Sequence, residues 1–155
     1  MANHVGTSLM YSLVVFLVTY QLSQYYVNGD QEHYIGAYNL ISNMEIGNAY
    51  LRYTALLSSS EVVHFLLIWT VGGVFDKDIV MSVSNAMLAY LATYSMLRVG
   101  ANKIIVLLVL LISYYPLVLF LSAERLKFSF IFFFLSFISS KNGFIKFYEY
   151  WFTGP

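Results

Sequence analysis

"YYVNGDQEHYIGAYNLI", residues 25–41, is a polar island in a chain that is otherwise apolar. Asp30, Gln31, Glu32 and His33 stand in a row directly after one greasy segment, with tyrosines on both sides. What that row means depends on the solvent around it. Of the 155 residues, 59% are hydrophobic and only 10% are charged, against about 25% charged in an ordinary soluble domain. So few polar groups cannot cover a water-facing surface, and the composition demands the lipid bilayer as solvent. The expected class is an all-α, polytopic transmembrane helix bundle.

Several chemistries fall away at once. Eight basic residues cancel eight acidic ones, which leaves no basic face for a nucleic-acid partner. The absence of cysteine excludes disulfides, zinc–thiolate sites and a cysteine nucleophile. His4, His33 and His64 are far apart in sequence and lack metal-ligand spacing, so neither a metal nor a cofactor is expected. Fourteen tyrosines and thirteen phenylalanines suit a multi-span protein with interfacial and inter-helix aromatics.

Working outward from the island, residues 5–22 form an apolar run long enough to cross a hydrocarbon core of about 30 Å as a helix. No Lys or Arg precedes it and no small-x-small site follows it, which reads as a retained span rather than a signal peptide. Residues 24–60 contain Asp30, Glu32, Glu45 and Arg52 and do not read as a span. Tyr34, Tyr38 and Ile41 recur there at helical spacing, as do Ile46, Tyr50, Tyr53 and Leu57. Two short amphipathic helices in the membrane interface, within about residues 30–57, are the expectation.

"SSSE" at 58–61 reads as a capping box, with Ser58 as N-cap and Glu61 reaching back. It opens a second span over about 61–75, and "DKD" at 76–78 is a tight polar turn. A third span, about 79–97, carries Ser82, Ala86, Ala89 and Thr93 on one face, where small residues let two helices approach closely in lipid. A fourth covers about 104–121, with Pro116 placed to kink or break it. A short fifth covers about 126–139. With about five spans, one side holds Arg52, Arg98, Lys103, Lys141 and Lys146, and the other Lys77, Arg125 and Lys127. That margin does not fix the orientation.

Few side chains could carry chemistry. Asp30 follows Gly29 at a helix start, so its carboxylate can cap the helix, act as a general base, or bind a sugar hydroxyl. His33 could shuttle protons or simply hold a hydrogen bond. Gln31 and Tyr34 would supply neutral hydrogen bonds and a stacking face. Arg125, in "SAERLKF", can grip a phosphate through paired hydrogen bonds, or snorkel at a span end paired with Glu124. Arg52 has the same two readings. Glu61 and His64 are close enough to pair, though the cap claims Glu61, and Asn85 in mid-span reads as inter-helix glue.

The order of these stretches resembles the amino-terminal half of a bacterial polysaccharide polymerase, of the EpsG-like or Wzy type that polymerises O-antigen and capsule repeat units. The resemblance rests on the first span followed by "NGDQEHYIGAYNLI", on "SSEVVHFLLIWTVGGVFDKDIVMSVSNAMLAYL", and on "ANKIIVLLVLLISYYPLVLFLSAERLKFSFIFFFLSF" with its Glu-Arg-Leu-Lys, together about residues 5–140. It implies a multi-pass protein of the bacterial inner membrane that moves a glycan from its undecaprenyl-pyrophosphate carrier onto the next lipid-linked repeat unit. Other polysaccharide assembly proteins would be its partners. It also implies that Asp30 and Arg125 are catalytic and that Gln31, His33, Tyr34 and Arg52 bind the substrate. Strict alternation of spans would put Asp30 and Arg125 on opposite faces, unless the break at Pro116 returns the chain to the same side. The length suggests a fragment of a longer polymerase. A non-enzymatic membrane protein, such as a transporter fragment, a flippase-like protein or an assembly subunit, is the alternative.

Overall fold

The computed structural model of the chain describes residues 2–25 and 30–139. Among them the regular structure is helical throughout: α1 (Ala2–Ser23), α2 (Asp30–Ile41), α3 (Ile46–Leu57), α4 (Val62–Val71), α5 (Lys77–Arg98), α6 (Lys103–Ile112), α7 (Tyr114–Leu121) and α8 (Glu124–Ser139). Lys141, Lys146 and the rest of the aromatic tail lie outside the described residues.

Among the described residues two helices are long and apolar enough to cross a membrane, Asn3–Ser23 and Lys77–Arg98, and the number rises to four if each bent pair is one span. These two pack on each other. α1 turns Ser8, Tyr11, Val15 and Thr19 inward, all buried, at the three- and four-residue steps that share one helix face. α5 answers with Ser82, Ala89 and Thr93, also buried, so the small-residue face expected on this helix is the seam. The opposite side of α1 exposes Leu9, Met10, Leu13 and Leu17, an apolar face that only lipid or another protein can cover.

The expected fourth span is divided. α6 and α7 meet at an angle of 57°, and the turning residue is Ser113, with ψ at 136°. Pro116 sits in the first turn of α7, where its missing N–H costs nothing. In a continuous helix its ring would strike the carbonyl four residues back, that of Ile112, which is where α6 stops.

Residues 30–57 do form two short helices, α2 and α3. The chain then turns by 118° into α4 through Ser58, whose φ of 47° is left-handed. The capping box is therefore corrected: Ser58 ends α3 instead of opening α4. Glu61 is the N-cap of α4 and makes no side-chain cap bond; its amide donates to the Ser59 hydroxyl at 3.3 Å. α4 has ten residues, or about 15 Å of rise, half a membrane's depth. α8, with sixteen residues, rises about 24 Å.

Two apolar clusters result. One joins α1, α5, α6, α7 and α8 around Val15, Leu88, Val106, Phe120 and Ile131. The other joins α2, α3 and α4 around Tyr38, Ile41, Tyr53, Phe65 and Ile68. In the second, the Tyr38 hydroxyl donates to the Phe75 carbonyl at 2.8 Å and the Trp69 indole to that of Met44 at 2.9 Å. Burial, and then the charges of Asp76 and Glu124, push the Tyr38 hydroxyl up to about 12, so it remains a donor at any ordinary pH.

The α1–α5 seam makes a simple test. Ala89 is fully buried, and Ala89→Leu should cost about 1–3 kcal/mol through overpacking. Val83→Leu, on the exposed side of the same helix, should stay within about 0.5 kcal/mol. Unfolding in detergent titrated with denaturing surfactant measures both.

Candidate functional site: the start of α8

The break between α7 and α8 leaves the last carbonyls of α7 without helical donors, as at any helix end. Side chains from three other places fill the gap. Asn85 of α5 donates its amide to the Phe120 carbonyl at 3.0 Å, and the Lys127 ammonium donates to the same oxygen at 3.1 Å. The Gln31 amide, from α2, donates to the Leu121 carbonyl at 2.9 Å. Asn85 is thus inter-helix glue, as its mid-span position suggested.

Glu124, first residue of α8, is buried against this junction. Its Oε1 lies 2.8 Å from Lys77 Nζ, and its Oε2 lies 3.7 Å from His64 Nε2. Lys77 also donates to Gln31 Oε1, while His64 Nδ1 is bonded to the Tyr53 hydroxyl at 2.9 Å. One carboxylate therefore contacts α4 and α5 directly, α2 through Gln31 and α3 through Tyr53. Its partner is Lys77, rather than Arg125 beside it.

Arg125 faces the other way. Its Nε donates to the Tyr34 hydroxyl at 3.1 Å, and its Nη1 lies 3.9 Å from Glu61 Oε1. The Arg125 and Glu61 side chains are 35% and 50% exposed, so this pair is solvent-screened and contributes little to stability. What it does is shape a surface. A polar cleft of about 360 Å³ opens between Tyr34, Glu61, Ser122, Arg125 and Ser129. On the other side of Arg125 a second, of about 310 Å³, opens onto His33, Tyr34 and Ser58.

Of the residues expected to act together, His33, Tyr34 and Arg125 meet here. Asp30 begins the same helix as Tyr34, one turn earlier; its side chain lies outside the described residues. Gln31 is buried in the junction and belongs to the scaffold. Arg52 is exposed on α3 and does not line these clefts. The sequence reading missed Glu61, which it spent on a cap, and the group of Lys77, Glu124 and Lys127. The clue available was that Glu-Arg-Leu-Lys puts Glu124 and Lys127 three apart, on one helix face. The suggested Glu61–His64 pair does not form, since those two face Arg125 and Glu124 respectively.

Among the described residues no three His, Asp or Glu side chains are grouped to hold a metal ion. The arrangement can bind an anion at Arg125 and hydroxyl groups at its polar rim. Comparison with known proteins adds no relative: no family model, no curated protein and no solved structure matches the chain.

The buried pair predicts an asymmetry. Glu124→Met or Lys77→Met should each cost about 3–5 kcal/mol, because each strands a charge in the interior. Lys77→Met combined with Glu124→Met should cost clearly less than the two single changes added together. A double-mutant cycle on surfactant-induced unfolding reads the difference.

Proposed function

We propose that this chain is the amino-terminal part of an oligosaccharide repeat-unit polymerase of the bacterial inner membrane, acting on glycans carried by undecaprenyl pyrophosphate. In this reading the chain crosses the membrane about five times, with α2 and α3 along its surface. The observation that carries the proposal is the bond of 3.1 Å from Arg125 to Tyr34. It joins the polar island after the first helix to the start of α8, so two stretches 91 residues apart border one cleft. That juxtaposition supports reading the two stretches as parts of one site.

The chemistry then divides among residue types. An acceptor-sugar hydroxyl attacks the anomeric carbon of the donor, and the bond from that carbon to the diphosphate oxygen breaks. Asp30 takes the hydroxyl proton, and Arg125 neutralises the departing diphosphate. His33 and Tyr34 contact the sugars. Gln31 supports the site from the junction behind it, and Arg52 meets the glycan only where that extends beyond the clefts.

The non-enzymatic reading draws on a different observation. His64, Glu124 and Lys127 are buried beside the half-buried Lys77, and ionisable groups at membrane depth are typical of transport pathways. A flippase-like protein or assembly subunit would use that group rather than Arg125.

Complementation separates the two. In a strain lacking its own polymerase, expression of the open reading frame that carries this chain should restore long glycan. Arg125→Ala and Asp30→Asn should each reduce polymerisation by roughly 100-fold or more, seen as loss of the glycan ladder on gels. Full ladders from both variants would sink the site assignment. Lipid-linked repeat units trapped on the cytoplasmic side would favour the alternative.

A further inference from the structure

We propose that an apolar groove behind the Arg125 cleft seats a hydrocarbon chain, so that cleft and groove together bind one amphiphile with a phosphate or diphosphate head. The inference rests on the reading of Arg125 as the anion-binding group and adds where the rest of the ligand lies.

The groove has a volume of about 370 Å³ and runs between α5, α6, α7 and α8, past Ala92, Met96, Val109, Pro116, Leu119 and Phe130. Its origin is local. The 57° bend between α6 and α7 turns α7 off the line of α6, and between Leu88 and Met96 α5 lines the space with the small Ala92. The decisive feature is a shared wall. Ala123 and Leu126 line both this groove and the polar cleft that holds Arg125 and Tyr34. Consecutive residues of α8 thus divide the work, with Arg125 at the head and Leu126 at the chain.

Each simpler occupant leaves something unexplained. A soluble anion would use the guanidinium and leave the groove empty beside it. A plain hydrocarbon would fill the groove and ignore the cation. A helix from another protein is about 10 Å across, and a cavity of this volume would hold only about one turn of it. A chain with an anionic head uses both halves, in keeping with ligand sites that are mostly apolar with a few placed polar groups. The head can compete for Arg125, because the Glu61 contact at 3.9 Å is looser than the ~2.7–2.9 Å of a charge-assisted hydrogen bond. Leu126 and Phe130 are exposed at the groove mouth, which lets a chain slide in sideways from lipid.

The test uses the whole chain in detergent and a farnesyl diphosphate analogue with a photoreactive diazirine near the end of its chain. The label should land on α5 and α8, at residues such as Met96 and Phe130. Leu126→Trp changes an exposed residue and so spares folding; it should cut labelling about tenfold, with the affinity for inorganic diphosphate read alongside. Arg125→Ala should weaken both. Labelling as dense on the outer face of α1, at Leu9 and Leu13, as in the groove would overturn the inference. So would undiminished labelling in Leu126→Trp, or groove labelling that Arg125→Ala leaves intact. Glycan ladders in cells report the polymerase reading separately, so groove labelling without polymerase activity upholds this site and removes only that activity.

Discussion

The buried contact between Glu124 and Lys77 is the constraint on which the rest of the structure depends. A carboxylate with almost no access to solvent is tolerated only where a cation and hydrogen-bond donors replace water. Lys77 provides the cation at 2.8 Å, and Gln31 holds that ammonium from the opposite side. His64 borders the second oxygen. These partners come from α5, α2 and α4, so a single acid ties the bundle to the three-helix unit packed on it. Because the junction lies between two apolar clusters, neither cluster alone specifies how the other docks. The polar contacts do.

The same junction explains why the Arg125 cleft has a defined shape. Two residues separate α8 from the end of α7, and the starting position of α8 is set by the carbonyls of Phe120 and Leu121 and by Glu124. Asn85, Lys127 and Gln31 close off those carbonyls. Once Glu124 is directed inward, Arg125 must project about 100° around the helix, toward Tyr34 and Glu61. Leu126 turns a further step, onto the groove. Three adjacent residues therefore serve the interior, the polar cleft and the apolar groove in turn. The surface that could bind a ligand is a by-product of how a buried charge was accommodated.

Much of this was legible from composition and spacing, and the reasons are local. An apolar run such as residues 5–22 has one way to satisfy its backbone in lipid, as a helix. The Ser82, Ala89 and Thr93 stripe lies on one face of α5 by helical geometry alone, whatever packs there. Pro116 breaks a helix through a clash with its own chain. The capping box failed for the opposite reason. Ser58 and Glu61 have the right spacing, yet the chain has to turn by 118° at that point to bring α4 onto α2 and α3. That demand, from partners outside the segment, put Ser58 in the left-handed region and freed the Glu61 carboxylate for the cleft.

By itself, then, the sequence determined the helical class, the membrane-compatible surface, the seam on α5, the break before Pro116 and the two short helices after α1. Each follows from forces acting within a few residues or from the solvent the composition requires. Only the tertiary structure decided that Glu124 pairs with Lys77 rather than Arg125, that Arg125 reaches Tyr34, and that a polar cleft adjoins an apolar groove. Those outcomes depend on which distant charges share a low-dielectric interior. Coulomb attraction and desolvation are functions of distance in space, and the spacing of letters along a chain does not contain that distance.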